Sequence, residues 1–199
     1  YSGGPAVGLK GNIVTVVRPT RTHELDDYEG YIFGNETAQE NTQRVPLEGT
    51  LDENGNFLTE VSTQYSLQPG SMYEVLIEGT VFDVGGRANK ETSKVALDTA
   101  SSYLGLRSEF GKYASLDTPP AFKIAHISRS GLPVPMDGVR YTVKKIYYDY
   151  NWYYSSGWRW NAVRIDGEAV ESGVITDPKL TLKSPLSWGR HEIIITNKD

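Results

Sequence analysis

The residues with the most evident chemical potential are the aromatic side chains of one short stretch, YYDYNWYYSSGWRWN, at residues 147–161. Eight of its fifteen residues are Tyr or Trp. Exposed Trp rings could stack on sugar rings, which would make the chain a carbohydrate-binding module with Trp152, Trp158 and Trp160 as its platform. Alternatively, the rings form cross-strand pairs in a hairpin that turns near residues 155–157, where each pair contributes roughly 0.2–1 kcal/mol. The residue types alone do not decide between these two interpretations.

The other side chains that could act as acids, bases or metal ligands are three histidines and a few adjacent carboxylates. His23, His126 and His191 have no metal-ligand spacing with one another, and His126 alternates with apolar residues, as a hydrogen-bonded core or sheet histidine does. The pairs Asp26–Asp27 and Asp52–Glu53 could serve acid–base catalysis, but adjacent carboxylates in loops usually form a solvated surface. The sequence therefore predicts no catalytic, metal-binding or cofactor-binding residues, and no enzymatic activity.

The sequence lacks the residues and motifs that usually carry covalent or phosphate chemistry. The chain contains no Cys, which excludes disulfides, thiolate metal sites, a Cys nucleophile and a thioester formed from Cys. No Ser lies in a nucleophile elbow of the type G-x-S-x-G. The glycine-rich run at residues 84–87 is not followed by a predicted helix whose N-terminus could hold a phosphate.

The distribution of charge argues against a nucleic-acid partner. Residues 1–100 carry 7 basic and 15 acidic groups, a net charge of −8, and residues 101–199 carry 13 and 10, a net charge of +3. Neither half is basic enough for nucleic acid. No apolar run approaches the roughly 20 residues that span a bilayer, so we expect no direct membrane insertion. The change in charge near residue 100 predicts a domain boundary there.

The elements that would position these side chains are predicted to be strands. In the first half, the clearest strand covers residues 73–81, with one apolar face and one wet face. The apolar face holds Tyr73, Val75, Ile77 and Val81, and the wet face Glu74, Glu78 and Thr80. A return strand is predicted at residues 93–100, with Val95 and Leu97 pointing inward.

The second half has the same pattern. Strands are predicted at residues 121–128, 139–148, 160–165, 180–182 and 191–196, and Val139, Tyr141 and Val143 alternate along the second of these. No ten-residue stretch has a convincing helical period. We therefore predict an all-β chain of two tandem antiparallel β-sandwich domains with about seven strands each, at residues 1–100 and 101–199.

Connections between the strands carry their own signals. Asn54-Gly55 predicts a hairpin tip with a type I′ turn, since Asn-Gly supplies the positive φ angles that this turn requires. The alternation of Asp52, Asn54 and Asn56 is superficially like a calcium loop but lacks the full ligand set, so a plain turn is favoured. Residues 19–29 and 34–43 are predicted to be long loops and are candidates for contacts between domains.

Several runs, in order along the chain, resemble bacterial alpha-2-macroglobulins. Residues 73–87, YEVLIEGTVFDVGGR, are similar to a signature strand V-x-G-x-V-x-D and a turn ending in Gly-Arg, with Ile77 in place of the first Val. Residues 187–193 resemble a W-G-x-Y-x-L-E-V pattern, with His191 where Tyr is commoner. Further runs resemble the family at residues 4–9, 28–34, 101–106, 120–124 and 131–134.

This resemblance implies two consecutive macroglobulin domains upstream of the bait region of a broad-spectrum protease-trapping inhibitor. In that family a protease cuts the bait, the molecule rearranges, and a Cys–Gln thioester captures the attacker. Because the chain lacks Cys, the thioester is expected outside it. Members of the family usually add a further strand after the point that corresponds to the end of this sequence, so the resemblance also implies that the second domain lacks its last strand.

The resemblance also implies partners and a location. The partners would be the neighbouring domains of the same polypeptide and, through the whole protein, target proteases. The location would be the periplasm, with the parent protein held at the inner membrane as a lipoprotein. In this setting the aromatic stretch is expected to pack within or between domains.

Overall fold

The computed structural model describes residues 5–22, 26–35, 38, 41–60 and 67–197, with the backbone alone at 41–45. Within these ranges the chain is all-β apart from one 3-10 turn at Asp26–Tyr28, so the predicted fold class is confirmed. It contains no helix long and apolar enough to cross a membrane in the ranges described. The strands are β1 Lys10–Thr20, β2 Ile32–Phe33, β3 Asn41–Thr50, β4 Met72–Phe82, β5 Ala88–Leu97, β6 Ser102–Ser108, β7 Ala121–Ser128, β8 Arg140–Tyr154, β9 Trp158–Val174, β10 Lys179–Thr181 and β11 Arg190–Thr196.

The chain divides into two compact units. The first comprises Tyr1–His23 and Phe33–Tyr103, and the second comprises Glu24–Ile32 and Leu104–Asp199. A short segment from the first half of the sequence therefore belongs to the second unit. The boundary predicted at residue 100 stays a prediction.

The first unit contains an antiparallel sheet in the order β3-β1-β4-β5. β1 and β4 pair without a register break from Lys10↔Phe82 to Thr20↔Met72, as expected for a run of β-branched residues. The strand predicted at residues 73–81 is thereby confirmed. β1 also extends to Thr20 and β3 begins at Asn41, so both predicted loops are shorter than expected.

Two predictions about the faces of this sheet are wrong. Thr80, placed on the wet face, is buried, and Val95, placed inward, is 50% exposed. β5 forms one edge of the sheet and is exposed along nearly all its length. Alternation identifies which residues share a face, but it does not say whether anything covers that face.

The turn predicted at Asn54-Gly55 is present but is not of type I′. Gly55 has φ 77°, whereas Asn54 is not among the described residues with positive φ. The Asp52 carboxylate accepts the N–H groups of Asn54 and Asn56 at 2.9 and 2.8 Å. This side chain favours an Asp-led turn that requires a left-handed conformation only at Gly55.

The second unit buries its core between two sheets. One sheet has the order β10-β7-β6-β2 and the other the order β11-β8-β9. Phe122 and Ile124 of the first sheet lie in one buried cluster with Tyr141 and Val143 of the second. Val139, Tyr141 and Val143 are all buried, which confirms the predicted alternation, and the whole has the layered architecture of a β-sandwich.

Candidate functional site

The aromatic stretch forms the end of a long hairpin that extends past the third strand of its sheet. β8 and β9 pair in continuous register from Tyr147↔Ile165 to Tyr154↔Trp158. β11 pairs with β8 only at residues 140–146. Residues 147–165, here called the ribbon, are therefore two-stranded over about 25 Å at the usual rise of a β-strand.

The turn of the ribbon lies where the sequence predicts it. The Ser155 N–H donates to the Gly157 carbonyl oxygen at 2.9 Å. Ser156 has φ 53° and Gly157 has φ 135°, and Gly tolerates such angles without steric cost. A three-residue connection results, with Tyr154 directly opposite Trp158.

This turn places the three predicted Trp residues on one face. Paired residues share a face of a two-stranded ribbon, and so do residues two apart. Trp152 pairs with Trp160, and three tyrosines that were not predicted to belong to the platform lie on the same face. The aromatic face of the ribbon comprises Tyr148, Tyr150, Trp152, Tyr154, Trp158 and Trp160. Once the turn is fixed, the shared even numbering of these residues is a signal that could have revealed the whole face.

The rings pack edge to face rather than forming a flat platform. Tyr150 and Trp160 have centroids 5.5 Å apart with their planes at 64°, and Tyr154 and Trp158 are 5.9 Å apart at 79°. Of the two interpretations of this stretch, cross-strand pairing in a hairpin is thus confirmed. Sugar stacking uses ring faces, and in each of these pairs one ring is turned on edge. The geometry therefore does not favour a stacking platform built from Trp152, Trp158 and Trp160.

The aromatic face is exposed. Its six side chains are between 39% and 74% exposed. The opposite face mixes aromatic, apolar and polar residues, with Asp149, Asn151, Arg159 and Asn161 among them. On that opposite face Tyr147, Tyr153, Val163 and Ile165 are also 40–50% exposed. The ribbon thus has six aromatic rings on one face and a mixed surface on the other, and its aromatic face is uncovered in the part of the chain that the structure describes.

Charged groups surround the base of the ribbon. The Arg190 guanidinium lies 5.2 Å from the centre of the Tyr148 ring, in the geometry of a cation–π contact. Arg164 forms ion pairs with Glu192 and Asp166. Its hydrogen bond to Glu192, followed by the one to Asp166, raises the pKa of Arg164 above its ordinary value. The aromatic face therefore has a polar margin on its sheet side.

The two histidines that the structure describes, His126 and His191, have structural surroundings. His126 is buried, and its Nδ1 lies 2.6 Å from the Pro135 carbonyl oxygen. Because a carbonyl only accepts, Nδ1 carries the proton, which confirms His126 as a satisfied sheet histidine. Burial, and then the charge of Lys145, lower the pKa of His191, partly offset by a hydrogen bond to the Gly189 backbone. His23 lies outside the described residues.

The carboxylates singled out in the sequence lie in turns. Asp26 and Asp27 form the exposed first part of the 3-10 turn, and Asp52 accepts backbone N–H groups within its own turn. Among the described residues, no three His, Asp or Glu side chains are grouped as a metal site would need.

One partly buried polar pair was not predicted. The Tyr141 hydroxyl donates to Glu171 Oε1 at 2.7 Å, and the Glu171 carboxylate also accepts the Lys183 N–H at 3.1 Å. Burial, followed by the hydrogen bond to Glu171 and its charge, raises the pKa of Tyr141 to about 12. Glu171 thus links β8, β9 and the segment after β10, which is a structural role.

Two family descriptions match the chain in succession. "Bacterial Alpha-2-macroglobulin MG5 domain" matches residues 1–97, and "Bacterial macroglobulin domain 6" matches residues 105–199. An alpha-2-macroglobulin of Xylella fastidiosa (strain 9a5c) is 26% identical over 200 residues, which is 96% of this chain and 12% of that protein. The chain thus spans about an eighth of the length of this curated relative.

Solved structures show the same fold. Salmonella alpha-2-macroglobulin reacted with methylamine has a TM-score of 0.78 at 21% identity, over 98% of this chain and 14% of that one. Escherichia coli alpha-2-macroglobulin activated by porcine elastase has a TM-score of 0.72 at 21% identity, over 98% of this chain and 18% of that one. At this identity the likeness is one of fold.

Proposed function

Because the chain belongs to the bacterial alpha-2-macroglobulin family, as two consecutive macroglobulin domains, we propose that it is part of the non-catalytic frame of a protease-trapping inhibitor. Its role there is mechanical. The two units hold the bait region and the thioester domain of a longer polypeptide in place, and the thioester itself lies outside this chain.

One observation carries this proposal: both units match successive domains of one protein family, in order, across nearly the whole chain. The fold supports it, because the partly buried hydrogen bond from Tyr141 to Glu171 joins two paired strands. Hydrogen-bonded sheets suit a frame, whereas a catalytic site needs perturbed groups that converge on a cleft.

A protease assay on the intact protein tests the proposal. A protease enclosed by a trap still cleaves a small chromogenic peptide but no longer reaches a large protein substrate. We expect this pattern with trypsin and elastase and the intact protein. The 199-residue chain should neither inhibit these proteases nor hydrolyse substrates. Inhibition or hydrolysis by the chain alone would contradict the proposed role.

The periplasm, with a lipid anchor on the inner membrane, is the compartment proposed with this function. The support is the family to which the chain belongs. Separation of the lysed native organism into membrane and soluble fractions tests it, and we expect the protein with the inner membrane. Recovery of the protein with cytoplasmic markers would refute this part of the proposal without touching the protease assay.

A further inference from the structure

The aromatic face of the ribbon is larger than the isolated apolar patches of ordinary monomers. Its six residues are 39–74% exposed, and at ~150–250 Å² for each aromatic side chain they present on the order of 700 Å² to solvent. The largest patch on a typical monomer is about 300–600 Å², whereas each side of a standard protein–protein interface buries about 800 Å². The area is therefore that of one half of an interface.

The composition of the ribbon is also that of an interface. Trp, Tyr and Arg are the residue types enriched at the centres of protein–protein interfaces. Within residues 150–163, Arg159 is the one charged side chain. The ion pairs of Arg164 and the cation–π contact of Arg190 lie at the base, which gives an aromatic centre with a polar margin.

The backbone of the ribbon also requires support. A two-stranded ribbon is at best marginally stable in water without a third strand or a packed face. β11 ends its pairing opposite Ile146, and the pairs from Tyr147 to Tyr154 have no β-bulge. A regular ribbon of this length is expected to persist when a partner covers one of its faces.

We propose that the aromatic face of the ribbon docks against another folded domain of the same polypeptide. The occupant is placed in the same chain because these two units make up about an eighth of a related protein's length. A covalently linked domain also meets the face at an effective concentration in the millimolar range. This inference rests on the proposed function only in placing the chain within a longer polypeptide.

Oxidative footprinting read by mass spectrometry tests the docking. The intact protein and the 199-residue chain are labelled side by side, and Trp152, Trp158 and Trp160 are compared with Trp188. Trp188 is 83% exposed and lies outside the ribbon, so it is an internal control of matched chemistry. We expect labelling of the three ribbon residues to fall severalfold in the intact protein relative to Trp188. Equal labelling in both samples overturns the proposal.

Substitutions provide the second measurement. In the intact protein, Trp158→Ala combined with Trp160→Ala should increase labelling of Trp152 and speed limited proteolysis of the ribbon, while Trp188→Ala should do neither. If the double variant leaves both readouts unchanged, the face is not a docking surface. Because neither measurement uses protease trapping, a protein that fails to trap but protects its ribbon refutes the proposed function and leaves the docking intact.

The other occupants are separate outcomes on the 199-residue chain. A dimer in sedimentation that Trp158→Ala dissociates would assign the face to a second copy. Binding to vesicles of phosphatidylethanolamine and phosphatidylglycerol would assign it to a membrane. A saturable change in Trp fluorescence with a polysaccharide, lost in Trp158→Ala, would assign it to sugar. Each of these results overturns docking within the polypeptide, and we expect none of them.

Discussion

At the scale of single residues, the second unit depends on a few polar groups that are buried with partners. Tyr141 is 5% exposed, and its hydroxyl has a carboxylate as acceptor. Hydrogen bonds to charged groups contribute more than neutral ones, and a buried donor that loses its acceptor is costly. Two partly buried groups of this unit, Tyr141 and His191, have shifted pKa values. The stability of the unit should therefore depend on pH, through Tyr141 at alkaline pH and through His191 at acid pH.

Tyr141→Phe is expected to destabilise the second unit by about 1–2 kcal/mol at neutral pH, because it removes a hydrogen bond to a charged acceptor. The folded pKa of Tyr141 is about 12, against an ordinary value of 10.0. A raised pKa stabilises the fold below pH 10, and this contribution is lost as the pH rises from 10 to 12. Urea unfolding at pH 7, 10 and 11 should therefore show a shallower alkaline decline in the variant. Parallel curves for the two proteins would contradict the argument.

His191→Gln is expected to flatten the acid side of the stability profile. The pKa of His191 lies below its ordinary 6.5 in the fold, so the unfolded chain takes up the proton more readily. The stabilisation is present above pH 6.5 and is lost as the pH falls below that value. Thermal unfolding at pH 7.5 and 5.5 should show a larger decrease in the wild type than in the variant. An equal decrease in both would place the acid sensitivity elsewhere.

At the scale of elements, one turn geometry occurs twice in the first unit. Asp83 Oδ1 accepts the N–H groups of Gly85 and Arg87 at 2.8 Å each, as Asp52 does two and four residues ahead in its own turn. Gly86 has φ 79° in the position that Gly55 occupies. Asp83 and Gly86 in the signature run at residues 73–87 thus have a structural role. The Asp83 carboxylate closes the turn, and Gly86 allows the positive φ angle that the turn requires.

The strands that contribute buried residues to the core of the second unit could be predicted from the sequence. The start of β8 alternates because one side faces the core of the second unit, and residues 121–128 are an apolar strand of which residues 124–127 are all buried. Periodicity could not give the length of β9, which lies at a sheet edge and is exposed almost throughout. It also could not show that the aromatic face is uncovered, because exposure depends on what the rest of the molecule places there.

Gly49→Ala is expected to destabilise the first unit by about 1–3 kcal/mol through overpacking. A Cβ there would lie under 3.0 Å from the ring of Phe57, whereas a Cβ at Gly79 would meet nothing within 4 Å. Gly79→Ala in β4 is therefore the matched control and should be neutral or slightly stabilising. Urea unfolding followed by far-UV circular dichroism compares the two. If both variants unfold at the same urea concentration as the wild type, Phe57 can move aside freely.

At the scale of the whole molecule, the second unit recruits a segment from the first half of the sequence. The Tyr28 hydroxyl donates to the Gly131 carbonyl oxygen at 2.8 Å, and the Arg107 guanidinium lies 5.0 Å from the centre of the Tyr31 ring. Arg107 also donates to the Glu29 carbonyl oxygen at 3.2 Å. Cutting the chain near residue 100 would therefore remove structural contacts from the second unit.

Tyr28→Ala is expected to lower the stability of the second unit by about 1–3 kcal/mol, because it removes a hydrogen bond and a packed ring. All four Trp residues lie in that unit, so its unfolding can be followed by Trp fluorescence. Tyr113→Ala is the control, since Tyr113 is 78% exposed. A fluorescence transition that does not move in Tyr28→Ala would mean that the segment adds nothing to the unit.

The bulge-free register of the ribbon has a consequence for how its length can change over evolution. Successive side chains alternate between faces, so an insertion of one residue in each strand would turn the tip over and point its rings the other way. Insertions of two residues in each strand would keep the orientation and add about 7 Å of reach. Homologous hairpins are therefore expected to differ by an even number of residues in each strand.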